Sequence, residues 1–518
     1  MKKGGYMIEE NKSSMKNSVR RLIIAGIGVL IQIIWVVVLL MRLNEYSQII
    51  TLLTVAIELV LVLAVYSMDT NAAFKLPWII LITVAPIVGI CVFFLFGRSG
   101  ATKKVRARYR KIDQQLFAYL NQDEQIIEEL SKKDERLAND FKYLWKCASS
   151  PVYKNTDVKY YGDTCDAMAA QLEDMMQAKK FIFLEYHAIE MAESFQALRK
   201  VLMAKAREGV EIRILYDDAG CIGFLNPRFI KYMESMGIQC RVFNPIMPVL
   251  NIFMNNRDHR KITVIDGKVA YTGGYNLADE YFNITHPYGQ WKDSGIRFEG
   301  DAVQTATILF LEMWNALREQ DVDIEKYLPV YPYKAKEQGF FALYGDSPLD
   351  KEPAGENVYM NLLRHAKKYI YFTTPYLILS DEMTRELTGA AKRGVDVRII
   401  TPGIPDKKTI FQVTKSYYPQ LLKHGVKIYE YTPGFMHEKQ CICDGEIVVV
   451  GTINLDFRSL YLHFENAALF CGYEAVSHVK EDFDALFPIC KDMSKEPSER
   501  TRRLRLSQLI LRLFSPLM

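Results

Sequence analysis

The sequence predicts an α/β protein: a duplicated domain with pseudo-twofold symmetry, preceded by N-terminal transmembrane helices. Three observations lead there. A short pattern occurs twice with the same internal spacing, an order of helices and strands repeats around it, and the first hundred residues hold three long apolar stretches. At 518 residues, 49% hydrophobic and 24% charged, the chain supports roughly two to four domains. A formal net charge of +4 is too small to argue for nucleic acid, so none is expected as a partner. Nine cysteines are scattered through apolar or strand-like contexts and read as reduced core residues, which fits a cytoplasmic catalytic part. Cys441 and Cys443 share a strand face and lack companions at zinc-site spacing.

Residues 1–100 form the expected membrane anchor. Residues 22–40 carry no charge, residues 49–66 are apolar apart from Thr51, Thr54 and Glu58, and residues 77–96 are uncharged. Each stretch approaches the ~20 residues a helix needs to cross ~30 Å of hydrocarbon. Three spans are expected; two spans with one interfacial segment is the alternative, because Glu58 is costly in mid-membrane unless protonated or paired. Basic residues flank both ends, Lys2 to Arg21 before the first stretch and Arg98 to Lys111 after the last. An odd number of spans cannot satisfy both by the positive-inside rule. The denser flank after the last stretch places the catalytic part in the cytoplasm, with the protein a multi-pass resident of the cell membrane. The side of the N-terminus stays open.

Residues 101–150 are charged and free of Gly and Pro from residue 101 to 146, which predicts a helical linker whose basic start suits anionic headgroups. From residue 151 a helix, strand, helix, strand order runs over 166–180, 181–186, 198–207 and 210–216, and recurs over 357–368, 369–372, 383–393 and 395–400. Gly-Val-Glu-Ile-Arg-Ile-Leu at 209–215 lies over Gly-Val-Asp-Val-Arg-Ile-Ile at 394–400. Two halves, 151–335 and 336–490, follow, and alternating strands and helices predict largely parallel sheets.

Within the halves the repeated pattern reads His259-x-Lys261, Asp266, Gly273-Gly274 and Asn276, then His437-x-Lys439, Asp444, Gly451-Thr452 and Asn454. The stretch alternates and is rich in β-branched residues, so His and Lys, two apart on a strand, project to one face. Asp-Gly supplies a hairpin turn and a second strand returns to the Asn. Each Asp is therefore either a site carboxylate or a turn residue. The chemistry that suits two such faces is substitution at a phosphodiester: one imidazole attacks phosphorus, the other serves as acid and base, and the lysines and Asn amides hold phosphoryl oxygens. No metal or other cofactor is required for this.

The paired motifs resemble those of the phospholipase D superfamily, whose signature is two HxKxxxxD segments sharing one site. Within it the chain is similar to the bacterial cardiolipin synthase family over nearly its whole length. Asn256 to Lys261, Thr272 to Tyr281, Thr374 to Tyr376 and Asn454 to Ser459 carry that resemblance. It implies a phospholipid substrate, phosphatidylglycerol, whose phosphatidyl group passes to a second phosphatidylglycerol with release of glycerol. Phospholipase D-type hydrolysis, or a non-catalytic anionic-lipid binder, are the alternatives. The resemblance also implies His259 as nucleophile and His437 as acid and base, with Asp293 and Glu465 orienting the histidines; surface ion pairing is the other reading for these two acids. Ser294-Gly295, Thr452 and His463 depart from the family's usual residues. Residues 245–254 form an apolar insert suited either to acyl chains or to core packing. Residues 491–518 predict a basic amphipathic helix, for an anionic membrane surface or for docking. Oligomeric state is not legible.

Overall fold

The computed structural model describes residues 48–96, 103–225, 228–246, 255–318, 321, 323–496 and 504–517, with part of a helix between residues 26 and 42. Two sheets repeat one strand order. In the first half it is Thr156–Tyr161, Gly295–Gly300, Val269–Gly273, Lys261–Ile265, Phe181–Tyr186, Glu211–Asp217, Gln239–Phe243. In the second it is Phe340–Asp346, His463–Cys471, Ile447–Gly451, Gln440–Cys443, Tyr369–Thr373, Asp396–Pro402, Lys427–Tyr431, with Cys490–Asp492 added at the edge. The duplication read from the sequence is therefore a duplication of topology.

The sheets are mixed rather than largely parallel. Phe181–Tyr186, Glu211–Asp217 and Gln239–Phe243 run parallel because helices connect them, as do their counterparts in the second half. The motif strands run antiparallel because a three-residue turn joins each pair, and such a turn can only reverse the chain. Sequence alternation overweighted the helical crossovers and underweighted these hairpins.

Each central strand buries both faces. Phe181, Phe183, Ile262 and Val264 join Phe341, Tyr371, Ile442 and Val448 in a core shared by the two halves. The alternate residues, Ile182, Leu184 and Ile212 in one half and Ile370, Phe372 and Cys441 in the other, face the outer helices. The helix Val303–Leu317 is buried along nearly its whole length in the shared core, with Phe310 stacked on Phe183 at 4.5 Å. The expected linker is three helices, Lys103–Leu116, Glu124–Lys133 and Glu135–Ala148, the last two capped at their N-termini by Asp123 and Asp134. They pack onto both halves: Tyr109 stacks on Phe464, while Phe141 and Leu144 enter the core of the second half.

Among the described residues no helix is long and apolar enough to cross a membrane. The expected first span lies largely outside the described residues. The second corresponds to Gln48–Tyr66, and the third is divided into Ala72–Val84 and Pro86–Phe96, since Ala85, held out of the helical region at φ −138° and ψ 73° ahead of Pro86, interrupts the helix. These helices pack through Leu61, Val65, Trp78, Ile82 and Phe93 and turn large apolar side chains outward, Leu52 at 75% and Val84 at 79% exposure.

Asp266 and Asp444, expected as site carboxylates, are turn residues. Both have positive φ, 54° and 55°, followed by Gly267 and Gly445 at 67° and 71°. The Asp266 carboxylate accepts the backbone N–H groups of Lys179, Lys180 and Phe181 at 2.8, 2.7 and 2.9 Å. Asp444 accepts those of Lys367, Lys368 and Tyr369, each at 2.8 Å. The carboxylates thus pin each hairpin to the start of the neighbouring strand, at the far end of the motif strand from its histidine. Asp266→Ala leaves three strand-entry N–H groups without their acceptor and is expected to cost on the order of 2–4 kcal/mol, seen as a lowered thermal midpoint in detergent. Unchanged melting with lost turnover would instead return the carboxylate to the chemistry.

Candidate active site

The two motifs meet because each is stitched to the other half. Arg257–Asp258 pairs in parallel with the first residues of His463–Cys471, and the His259 N–H donates to the Phe464 carbonyl at 2.9 Å. Gly434–Met436 pairs in parallel with Gln290–Lys292, and the His437 N–H donates to the Lys292 carbonyl at 2.8 Å. Each histidine is therefore delivered beside the residue that follows its partner segment: Glu465 in one case, Asp293 in the other.

Those residues are the partners. His259 Nδ1 lies 2.9 Å from a Glu465 oxygen, and His437 Nδ1 lies 2.6 Å from an Asp293 oxygen. The pairing crosses between halves, so neither motif histidine takes its carboxylate from its own half. A hydrogen on each Nδ1, donated to the carboxylate, leaves the Nε2 lone pair for chemistry. Glu465 is fixed in turn by the hydroxyls of Ser459, at 2.6 Å, and Thr452. Asp293 accepts the Ser294 N–H at 3.0 Å and lies against Gly274, where a Cβ would come within 2.0 Å of its oxygen. The one departure between the repeats at this position, Gly274 against Thr452, follows from that contact: a hydroxyl braces the longer acid, and an absent side chain admits the shorter.

Lys261 and Lys439 point the same way as their histidines and donate to the histidines' own carbonyls. The residue between them points oppositely, as strand alternation requires. Arg260 pairs there with Glu312 at 2.8 Å, and Glu438 with Lys292 at 2.6 Å, so these buried charges sit behind the site and not in it. Burial pushes His259 and His437 well below the ordinary imidazole value, and the neighbouring lysines add to it. Burial lowers Lys439 to about 7 and Lys261 to about 8, and raises Asp293 to about 6. Both histidines are thus neutral at rest, and the site is poised to take up an anion.

Of the two asparagines expected to hold phosphate, Asn276 is engaged within the loop, accepting the Ala188 N–H at 3.1 Å and donating to the Tyr281 hydroxyl at 2.8 Å. Asn454 is buried and its Oδ1 has no hydrogen-bond partner among the described residues. Two further histidines stand at the site without belonging to the repeated pattern. The rings of His187 and His463 lie 5.0 and 5.5 Å from that of His259, while His437 is ringed by Trp291, Tyr281 and Phe435 at 5.0, 5.2 and 5.8 Å. His463 could have been suspected from its place two residues before Glu465; His187 carries no sequence signal. His259, His463 and Glu465 place one donor atom each within 4.8 Å of one another, a spacing that suits a small cation. In the arrangement present, His259 and Glu465 are engaged with each other.

The family described as "Cardiolipin synthase, PLD-like domain" matches residues 172–314 and 359–487. A protein of Streptococcus mutans described as "Uncharacterized protein" is 39% identical over 460 residues, 89% of this chain and 99% of its own length. A "Cardiolipin synthase" of Halalkalibacterium halodurans is 32% identical over 442 residues, 85% of this chain and 87% of its own. Among solved structures, the phosphatidylserine synthase of Haemophilus influenzae Rd KW20 aligns with a TM-score of 0.54 over 70% of this chain and 93% of its own, at 13% identity, which is a likeness of fold.

The contact at Gly274 yields a specific expectation. Gly274→Ala displaces Asp293 from His437 and is expected to reduce turnover on the order of 100-fold with little change in melting, the scale of losing a histidine's supporting carboxylate. An active Gly274→Ala protein would mean that the Asp293 contact does not matter to the reaction.

Proposed function

The chain belongs to the cardiolipin synthase family of phospholipase D-like proteins, and we propose that it transfers a phosphatidyl group between two phosphatidylglycerol molecules through a phosphohistidine intermediate. The observation that supports this most is the buried pair of reciprocally held histidines with a lysine beside each. Binding of the phosphodiester anion beside His437 favours its protonation at Nε2; His259 Nε2 then attacks phosphorus, a P–N bond forms, and the P–O bond to the leaving glycerol breaks as that His437 proton passes to the leaving oxygen. The primary hydroxyl of a second phosphatidylglycerol then attacks; its proton passes to His437, the P–N bond breaks, and cardiolipin is released. Lys261 and Lys439 carry the charge that gathers on the phosphoryl oxygens. Asp293 stabilises the imidazolium that His437 becomes, and Glu465 does so for His259 as it acquires its bond to phosphorus.

The protein's place in this reading is the cell membrane, as a multi-pass resident with the catalytic part on the cytoplasmic side. The outward apolar faces of Gln48–Tyr66 and Ala72–Val84 support it, together with the basic segment that follows them. The helix Leu506–Phe514 supports it too. Its Leu506, Leu509 and Ile510 are exposed, while Gln508 is buried and Arg512 lies over the Tyr417 ring at 4.1 Å. Docking and membrane contact, alternatives in the sequence, are then two faces of one helix.

The test is the lipid product. Purified protein in phosphatidylglycerol micelles with EDTA is expected to yield cardiolipin and glycerol in equal amounts, and His259→Ala or His437→Ala to yield neither. Phosphatidic acid as the main product would make it a hydrolase, and loss of activity on chelation would place a cation at His259, His463 and Glu465. A pH profile adds a second check. A lysine is charged below its pKa and neutral above it, so with Lys439 near 7 and Lys261 near 8, kcat/KM should fall as pH rises through 7 to 8. A bound phosphodiester raises both values, so kcat should fall at higher pH than kcat/KM. Coincident profiles rising through that range would contradict the assignment of the lysines.

A further inference from the structure

Building on the transfer reaction above, we propose that Arg458, with His463 and Arg257 behind it, binds the phosphodiester of the acceptor lipid, an anion separate from the phosphorus under attack.

The two sides of the site differ more than the repeated backbone requires. His437 stands among Trp291, Tyr281 and Phe435, which offer apolar faces. Beside His259 stands His463, and its Nε2 receives the Arg458 Nε–H at 3.3 Å. The other ring nitrogen of His463, Nδ1, lies 3.5 Å from a Glu465 oxygen, which leaves Nε2 as the atom that accepts from Arg458. Arg257 faces His463 across the short parallel ladder that joins the halves. The Arg257 guanidinium donates to the Asn244 carbonyl at 2.9 Å and approaches the Asp217 carboxylate at 3.4 Å.

Arg458 itself is a point where the halves diverge. It lies four positions after Asn454, and four positions after Asn276 the first half has Glu280. One half thus carries a cation where the other carries an acid. Burial lowers the Arg458 pKa, Asp456 offsets part of that, and Arg257 and Asp217 act on it in opposite senses. A guanidinium offers a phosphodiester paired donors.

The reaction calls for a second anion there. An acceptor phosphatidylglycerol brings its own phosphodiester, one glycerol away from the attacking hydroxyl, whereas water brings none. Arg458 lies one imidazole ring beyond His259, on the helix Phe457–Tyr461. That helix is also where the anchor touches the catalytic part: the Phe74 ring lies 5.4 Å from both Phe457 and Tyr461, and the Asn71 amide donates to the Tyr461 hydroxyl at 3.3 Å. The guanidinium therefore sits on the side from which an anchored enzyme meets lipid.

The experiment compares two acceptors that share every donor step. Cardiolipin formation from phosphatidylglycerol uses an anionic acceptor; exchange of labelled glycerol into phosphatidylglycerol uses a neutral one. Arg458→Gln is expected to lower the ratio of cardiolipin formation to glycerol exchange at least tenfold and to raise the phosphatidylglycerol concentration needed for half-maximal cardiolipin synthesis, with Arg458→Lys recovering part of the ratio. An unchanged ratio, whether both reactions fall together or neither falls, would overturn the subsite. Wild-type protein that exchanges glycerol or releases phosphatidic acid without forming cardiolipin would overturn the transfer reaction itself, an outcome distinct from any behaviour of the variants.

Discussion

The structure depends on an exchange: each half of the duplicated domain lends a carboxylate to the histidine of the other. A His-x-Lys strand alone places two side chains on one face and leaves the imidazole free to rotate. The Nδ1 contacts to Glu465 and Asp293 remove that freedom and fix which nitrogen keeps its lone pair. The parallel ladders at Arg257–Asp258 and Gly434–Met436 bring the partners together, so backbone pairing and side-chain pairing enforce the same register. A shared core then makes the halves one folding unit, with Phe183, Phe310 and Phe341 packed between them.

Burial sets the chemistry that this frame can perform. Four ionisable side chains from the motifs lie together away from water, and desolvation drives the imidazoles and ammonium groups toward their neutral forms. Such a site gains most by binding an anion that restores the lysine charges. Polar groups that would be costly if left unpaired are instead turned behind the strands, where Arg260 meets Glu312 and Glu438 meets Lys292. The aromatic surround of His437 and the imidazole and guanidinium surround of His259 then give two chemically distinct approaches to one phosphorus.

Much of this was legible in the sequence. The recurrence of His-x-Lys at one spacing announced a two-part site, and the alignment of residues 209–215 on 394–400 announced the duplication. Strand alternation placed His and Lys on one face, as found. What the sequence could not carry was long-range register. Nothing local says that Glu465 serves His259 and Asp293 serves His437, because that depends on ladders formed between residues 206 and 144 positions apart. The Asp-Gly turns were readable as turns, yet the three N–H groups each Asp collects belong to a strand far away in sequence, so its structural role could not be separated from a chemical one. The mixed sheets were missed for a related reason: helical crossovers dominate the pattern, and the short hairpins that carry the motifs decide the strand directions around the site.

Two histidines dividing the labour in one site should leave a covalent trace, and trapping the intermediate tests that division most directly. Wild-type protein mixed briefly with phosphatidylglycerol, quenched under alkaline conditions that preserve P–N bonds, and digested for mass spectrometry should carry a phosphatidyl group, or its deacylated remnant, on the peptide containing His259, and His437→Ala protein, lacking the acid for the leaving glycerol, should carry none. The adduct on the His437 peptide of the wild type, or no adduct in any form of an enzyme that turns over, would contradict the account.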